Sequence, residues 1–495
     1  MNYDIPLKNP EKYISPSDSL ALQTYEYFAG GDERSENTED FTQGKTLQPK
    51  LDYPSLSSSS IDRHIQNLTI LLPENSLSET DSPVSASVEY RLAEAYFLKT
   101  SEKLNNPLGS ISQEQVDYFQ KMNQEIYGEP DMEIFNTMLN FIWQNLEQKR
   151  GPATDKIVSE LETGFTFESE NGERLEIPAL PSPQSIEATT TLPELTPEAS
   201  EWVRSKILEE IAPAKTAIEE YYTKEIEPRE DNAIYPEDMI VLLQIGKNAL
   251  GLGDVEVIAN PNGTVPSWSS ADLAVVVGMK RMPYEDVDTF LGVFAHEVMV
   301  HGRRHINGKN WGDESLANGL FTEADEGEDP SYLTFEEGLA TMIQNATLGK
   351  GETWNIASMG HYLNIGLAHM GWSPRQIQEV MYRIRTVLKL DSKTETLDDS
   401  IIEESKQEAT TGIVRVFRGT PTDKELKTSS GITLHYAKDL AYASGSVKAM
   451  KYLNEIVNLP EDQRNEAWQK LFQGKFDPTN HYQSAYLEEV LGKNA

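Results

Sequence analysis

The period at which apolar residues recur changes along the chain and divides it. Residues 1–85 are rich in Ser, Asp, Glu, Asn and Pro, with 34-RSENTED-40 and 57-SSSS-60 among them. That composition predicts an acidic, largely disordered extension with short ordered pieces. From about Val88 the period becomes helical. Ser112 and Gln115 have capping-box spacing at the start of 115-QVDYFQKMNQEIYG-128, and 131-DMEIFNTMLNFIWQNLEQKR-150 is amphipathic and stops at Gly151-Pro152. Residues 86–177 therefore read as a helical N-terminal part, and the Pro- and Thr-rich stretch 178–195 as a linker or external loop.

Residues 196–495 alternate the two periods. Thr196-Pro197 opens a long helix to about residue 226, with an interruption expected at Pro213, and a second helix runs from Pro236 to 250-LGLG-253. Two β-branched runs, 254-DVEVIAN-260 and 272-DLAVVVGM-279, predict strands. An apolar helix starts near Pro283 and contains 291-LGVFAHEVMVHGRR-304. Ser373-Pro374 caps another helix to about Leu390, and 413-IVRVFRG-419 with 431-GITLHYAKD-439 reads as a β-like pair before a helical tail. No internal repeat is present. The prediction is an α+β fold, mostly helical, with a small β-sheet packed on the helix of residues 291–304.

Composition narrows the partners. With 43 Lys and Arg against 80 Asp and Glu, the formal charge of −37 repels nucleic acid and anionic lipid. The hydrophobic share of 38% and mean hydropathy of −0.51 fit a chain that is partly solvated rather than packed. There is no cysteine, so a metal would have to sit on His, Asp or Glu. The first residues carry no basic start followed by an apolar stretch, and no apolar run reaches the roughly 18 residues of a membrane span. The expectation is a soluble, cytoplasmic protein.

The helix of residues 291–304 holds the candidate chemistry. His296, Glu297 and His301 interrupt an otherwise apolar run, and buried polar groups of this kind require partners. Residues five apart on an α-helix lie about 140° apart around its axis, against about 40° for four apart. The two imidazoles converge only if the turn is widened, which a π-bulge does. Glu297 would then face a water activated by zinc and could take its proton. A third ligand is needed. Glu337, at the start of 334-TFEEGLATMIQ-344, is the choice. Two alternatives compete: Thr334 and Glu337 also match a capping box, and His305 is helically in phase with His301.

The segments 296-HEVMVHGRRHIN-307 and 334-TFEEGLA-340 resemble the HExxxH…EEGLA signature of the QEGLA-motif hydrolases, a family that includes the microtubule-associated tyrosine carboxypeptidases of animals. Further likenesses are 117-DYFQKMNQEIYGEPD-131, 413-IVRVFRGTP-421, 437-AKDLAYASG-445 and 470-KLFQGKFDPT-479, so the resemblance runs in pieces from about Val88 to the C-terminus. It implies a gluzincin-like zinc metallopeptidase with a zincin-like catalytic domain in 196–495 and one Zn2+ per chain. His296, His301 and Glu337 would be the metal ligands and Glu297 the catalytic residue. Arg304 and Asn307 match positions that follow the second histidine. The family commonly has Gly-Thr where this chain has Met299-Val300, a departure that bears on catalytic efficiency more than on metal binding.

The implied activity is a carboxypeptidase hydrolysing a C-terminal peptide bond. Such an enzyme must bind a free carboxylate, a task suited to arginine. Arg303, Arg304, Arg415, Arg418 and Lys438 are candidates, each weighed against an ordinary surface charge; Arg304, Arg418 and Lys438 stand in matching segments. Tyr442 is a candidate hydrogen-bond donor to the oxyanion, or else a packed tyrosine. The stretch 265-VPSWSSADL-273 is placed to pair with a substrate backbone. The substrate is thus expected to be a peptide or protein C-terminus, with the charge of −37 arguing against the acidic tails of tubulin. An amidase on a non-peptide substrate and a catalytically degenerate metal-binding protein are the alternatives.

Overall fold

The computed structural model describes residues 24–28, 33–51, 53, 56–72, 83–106, 109–182, 191–226, 233–261, 263, 265–325, 328–349, 354 and 356–494. Helices α1 (Glu33–Thr42), α2 (Ser58–Leu71), α3 (Pro83–Asn105), α4 (Gln113–Tyr127), α5 (Met132–Gln148) and α6 (Asp155–Thr163) come first. A hairpin of β1 (Phe165–Glu168) and β2 (Arg174–Ile177) follows, then α7 (Pro197–Glu225) and α8 (Pro236–Ala249). Strands β3 (Glu256–Asn260), β4 (Ser267–Ser269) and β5 (Ala274–Gly278) form the second sheet. Val287–Phe294, Ala295–Gly302 and Arg303–Asn310 run on without a break and together make α9. The remainder is α10 (Glu314–Asn318), α11 (Leu333–Leu348), α12 (Ile356–His369), α13 (Pro374–Lys389), α14 (Asp399–Val416), α15 (Leu440–Ile456), α16 (Glu461–Lys470) and α17 (His481–Asn494). The fold is mostly helical with small sheets. Among the described residues, no helix is long and apolar enough to cross a membrane.

Local chemistry explains most of the boundaries. Ser112 and Gln115 form the expected capping box on α4, and Ser373 forms another with Gln376 on α13. Thr196 caps α7, with Pro197 in its first turn. Pro213 does not interrupt α7 as expected. The buried stripe of Ile207, Ile211, Ala214 and Ile218 holds the helix continuous past the missing amide.

The three-stranded sheet has the order β3-β5-β4, with β3 parallel and β4 antiparallel to β5. Every residue of β5 is buried, which is why its sequence is an unbroken apolar run. It leads into α9, and Phe290, Phe294, Val298 and Val300 of α9 belong to the same core as Val275 and Val277. Helices α11 and α15 meet backbone to backbone: a Cβ added at Gly338 would lie 1.9 Å from the carbonyl carbon of Gly445. That approach sets where the start of α11, and so Glu337, sits relative to α9.

The reading of residues 413–439 as strands is corrected. The β-like pair at 413–439 is instead the end of α14 followed by an extended segment whose isolated bridge pairs Lys427 with Thr433. Ile413 and Val416 are fully buried on a helix, so tertiary packing overrides their strand preference. Within 1–85, the described residues include α1 and α2, with Phe28, Phe41, Ile61 and Leu68 buried against the rest of the chain. Sparse apolar residues there reach cores built by other segments. The remainder of that extension, and residues 183–190 of the expected linker, lie outside the described residues.

Candidate metal centre

Residues Ala295–Gly302 of α9 form a π-helix. The wider turn does what the five-residue spacing requires: the rings of His296 and His301 stand 5.0 Å apart between centroids, at 64°. Glu337 reaches them from the second turn of α11, its Oε2 3.7 Å from Nε2 of His301. One donor atom from each of His296, His301 and Glu337 lies within 4.8 Å of the others. Two donors on one tetrahedral zinc are about 3.3 Å apart, given bonds of about 2.0–2.1 Å. Small side-chain rotations close that difference, and two imidazoles with one carboxylate are a donor set that zinc accepts.

Both competing readings of the third ligand fail on geometry. Helix α11 begins at Leu333 and shows no side-chain cap, so Thr334 and Glu337 form no capping box. His305 places Nδ1 2.8 Å from the carbonyl oxygen of Ala317 and packs its ring 5.9 Å from that of Trp268, outside the three-residue group.

Glu297 is buried beside the triad, with Oε1 4.0 Å from Nε2 of His296. The backbone N–H of Trp268 in β4 donates to its Oε2 at 2.8 Å. Burial pushes the carboxyl up to about 7 despite the opposing His301 charge and this hydrogen bond. Trp268 is held in turn by Gly302: a Cβ there would meet the indole at 2.9 Å. Strand β4 is the edge of its sheet, as expected of the 265–273 stretch.

Behind the triad stands a buried ionic group of which the sequence reading named only Arg304. Glu336, 1% exposed, places Oε1 2.8 Å from Nδ1 of His301. Arg304 donates to its Oε2 at 2.9 Å, and Lys475 Nζ lies 3.1 Å from Oε1. Although burial opposes ionisation, Lys475 and Arg304 hold Glu336 well below the usual carboxylate range. Burial lowers His296 to about 4. For His301 burial acts the same way, but the Glu336 hydrogen bond and the Glu337 charge hold it above its ordinary value. The visible signals for Glu336 were its place in the Glu336-Glu337 doublet and the lysine in 470-KLFQGKFDPT-479.

The structure separates the expected substrate residues. Lys438 is buried with Nζ 3.5 Å from Oε1 of Glu337, so it joins the centre. Tyr442 lies under the guanidinium of Arg415, 5.3 Å from ring centroid to carbon, and burial raises its phenol, with the Glu337 charge adding to the effect. Arg304 is corrected: it is 0% exposed, and its guanidinium serves Glu336 and the carbonyls of Gly474 and Phe476. With no exposed surface, its guanidinium faces Glu336 and these carbonyls and not an open cleft. Arg418 is held on Asp439 at 3.3 Å and on the Arg415 carbonyl at 2.9 Å. Arg415 grips the same aspartate at 2.8 and 3.1 Å, and Arg303 pairs with Glu210. Asn307 donates to the Phe472 carbonyl at 2.7 Å. Met299 and Val300, where the family commonly has Gly-Thr, are buried in the apolar core.

No protein-family model, curated protein or solved structure matches this chain.

Proposed function

We propose that this chain is a zinc-dependent metallopeptidase with a zincin-like catalytic domain, acting as a carboxypeptidase on a peptide or protein C-terminus. The observation that carries the reading is the meeting of His296, His301 and Glu337 donors within 4.8 Å, with the Glu297 carboxylate beside them. The likeness to the QEGLA-motif hydrolases supports the same reading. Zinc held there supplies Lewis acidity toward a carbonyl and toward water.

Glu297 is the general base. Its Oε2 is fixed by the Trp268 amide, which leaves Oε1 to take a proton from water and then deliver it to the departing amine. Burial raises this carboxyl above its ordinary value, which favours its holding the proton between the two transfers. Glu336 fixes the His301 ring through Nδ1, and Arg304 and Lys475 keep Glu336 ionised. Lys438, beside Glu337, is the group proposed for the terminal carboxylate, and Tyr442 the donor proposed for the oxyanion. The edge strand β4 offers backbone pairing to an extended peptide.

The test is Glu297→Gln, assayed with peptides bearing free or amidated C-termini. Hydrolysis should fall by about 10²–10⁴-fold with zinc retained. Undiminished turnover removes Glu297 from the role, and indifference to amidation removes the carboxypeptidase assignment.

A further inference from the structure

A second pair of imidazoles, one buried and one half-buried, meets where α4, the end of α12 and the extended segment 433–436 come together. His435 is 1% exposed and donates from Nδ1 to the carbonyl oxygen of Thr433 at 2.9 Å. That hydrogen bond fixes the tautomer and leaves Nε2 with its lone pair, the arrangement by which metal-ligating histidines are commonly oriented. Nε2 faces the side-chain amide of Gln120 at 3.5 Å, at the long limit for a hydrogen bond. The ring of His369, the last residue of α12, stands 6.3 Å from that of His435 at 69°. Nδ1 of His369, Oε1 of Gln120 and Oγ1 of Thr433 are all buried without a hydrogen-bond partner. Buried polar atoms are rarely left so, and each of these belongs to a residue in contact with His435.

We propose that His369, His435 and Gln120 form a second cation site, for a borderline transition-metal ion such as Zn2+. Nothing in this depends on the peptidase reading. The pair His296 and His301 gives the comparison, at 5.0 Å and 64° between rings. The His369–His435 pair is similarly inclined and somewhat wider, and His369 is half-buried at a helix end, where a rotamer change can bring its ring in. Turning the Gln120 amide by half a turn puts Oε1 where Nε2 stands, 3.5 Å from Nε2 of His435. Two donors on one tetrahedral ion are separated by about 3.3 Å. Two imidazoles suit Zn, Cu or Ni and do not suit Mg or Ca. Because all three ligands are neutral, the site binds more weakly than one containing a carboxylate.

The experiment is a Zn2+ titration of the metal-stripped full chain against a chromophoric chelator, with elemental analysis. Two equivalents are expected, the second at least tenfold weaker than the first. His369→Ala should lose the weaker equivalent alone, with an unchanged thermal midpoint showing that it folds. His301→Ala should keep it. Gln120→Glu, which adds a charge to the donor set, should tighten it by tenfold or more. A single equivalent that vanishes in His301→Ala and survives His369→Ala overturns the site, as does a weak class indifferent to Gln120→Glu; an ordered water is then the occupant.

Discussion

Oε1 of Glu336 lies 2.8 Å from Nδ1 of His301, and the same carboxylate is gripped from behind by Arg304 and Lys475. One residue thus joins a candidate ligand on α9 to the segment after α16. Removing its charge leaves two buried cations facing a neutral amide. Glu336→Gln should lower zinc affinity by about 10–100-fold, measured by chelator competition. It should also destabilise the fold by about 3 kcal/mol in denaturant unfolding. Unchanged affinity would show that the carboxylate does not orient His301.

The approach of α11 to α15 allows no side chain at Gly338, where a Cβ would fall 1.9 Å from the Gly445 carbonyl carbon. Gly338→Ala forces the two helices apart and should cost about 1–3 kcal/mol of stability. Glu337 is the preceding residue, so zinc affinity should fall with it. A variant as stable and as tightly metallated as the parent would refute the close packing.

Part of the acid sensitivity should trace to the buried carboxylate of Asp439. Burial opposes ionisation of Asp439, but Arg415 and Arg418 hold it below its ordinary 3.8. A depressed folded-state value contributes stability that is complete above the unfolded value and fades as pH falls through the folded one. The thermal midpoint should therefore decline from about pH 4 downward, where unfolded aspartates begin to bind protons. Asp439→Asn should be less stable at pH 7 and show a flatter acid limb. An acid limb equally steep in that variant would place the sensitivity elsewhere.

Substituting Lys438 separates two roles. With Nζ 3.5 Å from Oε1 of Glu337, Lys438→Met removes a charge next to a proposed ligand. If it also receives the substrate carboxylate, KM should rise at least tenfold for free C-termini and change little for amidated ones. An equal effect on both would confine Lys438 to supporting Glu337.

The sequence made some of this legible and hid the rest for physical reasons. His296, Glu297 and His301 were visible because charged and polar groups inside an apolar run demand partners, and the five-residue interval called for the widened turn found at Ala295–Gly302. Caps at Ser112, Thr196 and Ser373 marked helix starts because they act within four residues. Ile413, Val414 and Val416 misled, since a β-branched cluster at the end of a buried helix looks like a strand until its packing partners are known. Glu336 and Arg304 were hidden more deeply. Their roles rest on Lys475, Gly474 and Phe476, contributed from far along the chain, and no local pattern encodes such a meeting.

The π-helix carries a final implication for how this motif tolerates length changes. Deleting Val300 would turn HEVMVH into HEVMH, a spacing at which a plain α-helix already keeps both imidazoles on one side. One inserted residue is what a widened turn absorbs, so losing the residue and the turn together leaves the flanking helix close to its present bearing around the axis. Arg304 and Asn307, still three and six residues beyond the second histidine, would keep facing Gly474, Phe476 and Phe472. The interval between the histidines and the width of the turn are thus one feature, and they must change together.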